Sequence, residues 1–152
     1  MTLTQVIFAV PLLALLGAVE LRADLSKVLA EKSLERRARL ALDNANTQFR
    51  AASAAYKDGD LKSALVALQE VRDSVDLAYT SLKQTDRKPR NSGDYKNLEI
   101  KTRQLLKSLE DFRQRMAVDE REHVESVAAH IQQVHDEVLN AVMGITKAES
   151  SK

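Results

Sequence analysis

The sequence predicts an all-α protein: an antiparallel up-down four-helix bundle that follows an N-terminal hydrophobic signal segment. Three observations carry this. The composition is 44% hydrophobic but only 4% aromatic, and the 152 residues contain four glycines and two prolines. Little interrupts such a backbone, and its abundant unbranched side chains lose little rotamer freedom in a helix. Apolar residues then recur at steps of three and four in four successive segments, the spacing of one helix face. Finally, three short breaks carrying Gly, Pro and Asp separate those segments, and short connections place successive helices side by side and antiparallel.

Residues 1–23 read as an address. Positions 6–19, "VIFAVPLLALLGAV", carry no charge, and the run is shorter than the about 20 apolar residues that span a bilayer. It has the length of a signal-peptide h-region, Pro11 inside it disfavours a core helix, and the small residue Ala23 precedes the polar chain, which places cleavage after residue 23. The mature domain is then residues 24–152, and its expected location is the bacterial periplasm or outside the cell. An uncleaved hydrophobic helix, either an anchor or a part of the bundle, is the competing reading, since no Lys or Arg precedes the apolar run.

The first helix is expected over residues 25–57, with Ala38, Ala41, Ala45, Phe49, Ala52 and Tyr56 as its seam. The second covers 61–84 through Leu61, Leu65, Leu68, Val71, Val75, Tyr79 and Leu82. The third, 95–116, carries Tyr95, Leu98, Thr102, Leu105, Leu109, Phe112 and Met116, and the fourth, 120–147, carries Val124, Val127, Ile131, Val134, Val138, Ala141 and Ile145. In the last two the steps alternate three and four throughout, the seam of nearly aligned helices with a slight supercoil, as in a coiled coil. Gly59 is placed to end the first helix and Asp60 to cap the second. Asp119 with Glu122 three positions on, behind Val118, reads as a capping box for the fourth.

"AAYKDGDLKSALVAL", residues 54–68, resembles the corner of a tetratricopeptide repeat through Tyr56, Gly59, Asp60, Leu61 and Ala64. A second Gly-Asp-Tyr at Gly93 stands 34 residues on, the period of that family. Upstream of it, however, Lys88, Pro89, Arg90, Asn91 and Ser92 cannot continue a helix, Leu98 replaces the small residue, and an array needs about three repeats. We therefore read one helix corner. As a whole, an export signal followed by a helical bundle resembles the uncharacterised exported helical proteins of bacterial envelopes.

Chemistry is sparse. With no cysteine, disulfides, thiolate metal sites, thiol nucleophiles and a lipoprotein anchor are excluded. The formal charge of +1 argues against nucleic acid, which would be expected to need a strongly basic face. No nucleophile elbow, phosphate loop or dinucleotide fingerprint occurs. His123, His130 and His135 all fall on the fourth helix, with His135 turned away from His130 at about 100° per residue. Glu120 and His123 have the Glu-x-x-His spacing of di-iron bundles without the second copy those sites need. Met116 and Met143 sit at helix ends, where we expect core packing. We expect no catalytic, cofactor or metal site and no enzyme.

One candidate interface remains. Arg36, Arg37 and Arg39 open the first helix, while Arg87, Lys88 and Arg90 lie in the long loop. In an up-down bundle the two groups share an end and could meet an anionic envelope component or another protein. The expected function is that of a non-enzymatic exported scaffold or protein-binding module; the alternative is a ligand or metal carrier with its site inside the bundle.

Overall fold

Ser33 opens the first long helix. In the computed structural model, which describes residues 25–145, the Ser33 hydroxyl accepts the Arg36 N–H at 3.3 Å. The Glu31 carboxylate accepts the Ser33 N–H at 3.0 Å. These bonds separate a short helical turn at residues 25–29 from α1, Leu34–Lys57. The continuous helix expected from residue 25 is thus interrupted, because Ser33 satisfies a first-turn amide that would otherwise be orphaned. Val28 in the preceding turn is still part of the core. The expected signal segment, residues 1–23, lies outside the described residues.

Two helices stop by the same device. Gly59 takes φ 81°, and the Asp60 N–H closes back onto the Ala55 carbonyl at 2.9 Å. At the end of α4, Arg121–Met143, Gly144 takes φ 73° and the Ile145 N–H reaches the Asn140 carbonyl at 2.9 Å. Both are left-handed glycine stops, and the second ends α4 short of the expected residue 147. Asp60 also caps α2, Leu61–Lys83: its carboxylate accepts the Ser63 N–H at 3.0 Å and the Ser63 hydroxyl at 2.6 Å, which hold it below its ordinary pKa. Ser92 caps α3, Gly93–Arg115.

The expected capping box before α4 does not form. Residues Val118–Glu120 make a 3-10 turn, and Glu120, not Asp119, precedes the helix, without a side-chain cap. Val118 stands 78% exposed, so it staples nothing. The Glu120 carboxylate is drawn instead to the Tyr56 hydroxyl at 2.8 Å.

Around the bundle the packing order is α1, α2, α4, α3. The α1–α2 pair is the most intimate, α3 lies on α4, and α2–α4 and α1–α3 complete the square, while α1 and α4 share no backbone-level contact. The helices run up, down, up, down, so α1 and α3 are parallel neighbours, as are α2 and α4. Consecutive helices α2 and α3 therefore stand on a diagonal. The connection over residues 84–92 reaches at most about 30 Å, ample for the roughly 13 Å diagonal of helices about 9 Å apart.

Side-chain size explains why one pair is closer. Between α1 and α2 the buried positions include Ala38, Ala41, Ala45 and Ala52 facing Ala64, Ala67, Ser74 and Ala78, and such small residues let two backbones approach. The α3–α4 side is filled by Leu98, Leu105, Leu109, Phe112, Val124, Val127, Ile131, Val134 and Val138, which hold the axes apart. Met116 is core at 3% exposure, but Met143 is 58% exposed: with α4 ending at Gly144, its side chain lies beyond the apolar seam.

Candidate functional site

The predicted basic residues gather at the end where α1 begins. Arg39 Nη1 meets Asp94 Oδ1 at 2.8 Å, and Arg87 Nε stands 3.6 Å from Glu35, so the loop group and the α1 group adjoin. The fold also supplies them with partners. Arg36 pairs with Glu31 at 3.2 Å, and Arg37 donates twice to the Glu31 carbonyl, at 2.8 and 2.6 Å. Arg90 lies beside Gly144, with its Nη1 3.6 Å from where a Cβ would stand, close to the negative end of α4. The Ser33 N–H, with Arg36 nearby, holds Glu31 below its usual carboxylate range. Of the six residues, Lys88 has no such partner among the described residues. The acids that answer these cations are Glu31, Glu35 and Asp94.

The three histidines go to three places. His130 Nε2 meets Asp76 Oδ1 at 2.7 Å, joining α4 to α2. His135, 8% exposed, has Nδ1 2.9 Å from Thr102 Oγ1 and joins α4 to α3. His123 keeps a buried Nε2 without a partner. Among the described residues no group of three His, Cys, Asp or Glu side chains could hold a metal ion. The burial of His135 is legible in hindsight: it stands four residues after Ile131 and three before Val138, on the seam itself.

Other polar side chains serve the same purpose. Buried Asn44 donates to Glu70 at 3.1 Å and to Ser74 at 2.9 Å across α1–α2. Gln48, 1% exposed, is buried one turn further along, with its Oε1 unpartnered; it stands three residues after Ala45, where the expected seam stepped instead to Phe49, which is only partly buried. The Tyr79 hydroxyl donates to Glu137 at 3.0 Å across α2–α4. Burial first, and then this bond, push its pKa up to about 12. At the opposite end from the basic group, the Tyr56 hydroxyl donates to Glu120 and accepts the Ala117 N–H at 3.0 Å. Its ring meets Phe112 edge-on at 5.5 Å, as does that of Phe49 at 6.0 Å.

Two surface clefts have mixed chemistry. One, of about 380 Å³, lies between the N-terminal turn and α2 and is lined by Leu25, Leu29, Val66, Glu70 and Asp73 among others. The second, of about 220 Å³, lies between the C-terminal ends of α1 and α3, lined by Ser53, Tyr56, Lys57, Phe112 and Arg115. Among the described residues no helix is long and apolar enough to cross a membrane. Comparison with known protein families, with curated proteins and with solved structures finds no match.

Proposed function

We propose that this chain is a non-enzymatic helical scaffold or protein-binding module of the bacterial envelope, exported by its N-terminal segment and acting through its outer surface. The observation that carries the reading is the employment of the side chains that would do chemistry in an enzyme or carrier. His130, His135, Asn44, Tyr79 and Tyr56 each tie one helix to another element of the bundle. A bundle bolted in this way offers rigid faces, and large apolar side chains stand open on several of them, including Leu40, Val66, Ile100 and Val118. Export is supported by the uncharged run at 6–19 and by Ala23 before the polar chain.

The test is expression from the native start in a bacterial host, with a photo-cross-linking residue placed singly at Leu40, Val66, Ile100 or Val118. The expected result is a mature species beginning near Asp24 in the envelope fraction, and a discrete cross-linked protein from one or two positions only. Full-length protein confined to the cytosol contradicts export. The absence of a cross-link from every position contradicts the scaffold role.

A further inference from the structure

We propose that the cleft between the C-terminal ends of α1 and α3 is the contact site, and that it receives an acidic segment of a partner protein in which one apolar anchor is flanked by Asp or Glu. The inference rests on the protein-binding reading above and names the site and partner chemistry for it.

The floor is rigid and aromatic. Phe112 is almost wholly buried and takes Tyr56 and Phe49 edge-on. Tyr56 cannot swing away, because its hydroxyl is held by Glu120 on one side and the Ala117 amide on the other. A preformed apolar pocket of this kind suits a contact hot spot, where an anchor residue is taken up without reordering the wall. The volume of about 220 Å³ falls below the about 300–1,000 Å³ of cofactor and small-molecule pockets. It has room for one side chain.

The rim sets the charge of the partner. Lys57 and Arg115 are both exposed, and neither forms an ion pair among the described residues, unlike most of the arginines at the far end. Arg115 spreads its guanidinium 5.9 Å from the centre of the Phe112 ring and uses only Nε internally, on the Asp111 carbonyl at 3.2 Å. The Ser53 hydroxyl also makes no hydrogen bond among the described residues. Three donors with uncommitted capacity thus surround an aromatic floor. The Glu120 carboxylate at this end is already occupied by Tyr56, and Asp58 and Asp111, next in the chain to Lys57 and Phe112, are exposed and form no ion pair with either cation among the described residues. A carboxylate entering beside an apolar group would take charge-assisted bonds from Lys57 and Arg115 while the apolar group covers the half-buried Tyr56 ring. Val118, next in the chain to the Ala117 that Tyr56 binds, is 78% exposed and extends the apolar surface at this end.

The experiment titrates the ¹⁵N-labelled protein with three end-blocked peptides, acetyl-Glu-Phe-Glu-amide, acetyl-Lys-Phe-Lys-amide and acetyl-Glu-Ser-Glu-amide. The expected result is saturable movement of amide signals near residues 53–57 and 112–116 with the first peptide alone. A Lys57→Gln, Arg115→Gln double variant, whose exposed changes leave the helical spectrum and melting unchanged, should weaken that binding by about tenfold or more. Equal binding of the Lys-Phe-Lys or Glu-Ser-Glu peptide, or no movement at all, overturns the proposal. Cross-links confined to Leu40, Val66 or Ile100 with a silent titration would remove this site while leaving the scaffold reading in place. Peptide binding here without a cross-link at any position would do the reverse.

Discussion

His135 and Thr102 meet across the α3–α4 interface, Nδ1 to Oγ1 at 2.9 Å, and the surroundings of the threonine fix which group donates. Oγ1 also lies 2.9 Å from the Leu98 carbonyl and 3.0 Å from the Glu99 carbonyl. Its single proton therefore goes back along its own helix, and it accepts from Nδ1–H. Thr102→Val keeps the shape and removes the acceptor. We expect a loss of about 1–3 kcal/mol, the cost of a buried donor left unmet, measured by urea unfolding. In a double variant with His135→Leu the loss should be smaller than the sum of the two.

Tyr56 holds the α3–α4 turn through two hydrogen bonds. Tyr56→Phe keeps the ring against Phe112 and loses both bonds, so the expected cost is about 1–2 kcal/mol. The change should be local: amide exchange at Ala117 should accelerate far more than at Leu98 in the middle of the core. Uniform acceleration would show that the hydroxyl stabilises the whole bundle and does not secure the turn alone.

Gly59 and Gly93 stand one tetratricopeptide period apart, yet they do opposite work. Gly59 ends a helix at φ 81°, whereas Gly93 begins one. A Cβ would meet nothing within 4 Å at either position, so any difference is one of backbone conformation. Gly59→Ala should cost about 1–2 kcal/mol, the left-handed penalty of an L-residue. Gly93→Ala should be neutral or stabilise by up to about 1 kcal/mol. Thermal melting of the two variants reads the contrast directly.

The Arg113 guanidinium and the Gln114 amide, both hydrogen-bonded to Glu110, hold its carboxyl down at about 2 against an ordinary 4.5. The folded value is the lower one, so the contribution of this group is present above the unfolded pKa and fades as pH falls from 4.5 toward 2. The pair is exposed, so the effect should shrink in salt. Side-chain carbon chemical shifts should show Glu110 still ionised at pH 3, and Arg113→Ala should return its midpoint toward the ordinary range.

The α3 seam was legible throughout, since every residue expected on it, from Tyr95 to Met116, is buried, whereas on α4 the seam is buried from Val124 to Val138 and only half-buried at Ala141 and Ile145. Less visible were features set by partners distant in sequence. The break at residues 30–33 depends on the Glu31 carboxylate accepting the Ser33 N–H and the Ser33 hydroxyl accepting the Arg36 N–H, and nothing in the composition of 25–57 marks it. Glu120 stood out in the sequence only for its Glu-x-x-His spacing with His123, but Tyr56, 64 positions earlier in the chain, claims its carboxylate. The two basic groups could be assigned to one end from helix direction alone. That Glu35 would pair with Arg87 and Asp94 with Arg39 could not, because those pairings require the packing of α1 against the loop and against α3.

The interior polar side chains Asn44 and His135 clasp one helix to another, and the proposed scaffold role requires that they and the other histidines take no cargo. Titration of the purified protein with Zn²⁺, Fe²⁺ and haem, followed through the ring resonances of His123, His130 and His135, tests it. The account predicts no saturable change, with His130 and His135 keeping their partners Asp76 and Thr102 throughout. A one-to-one, saturable shift of two or more histidine rings would contradict it and make the bundle a carrier.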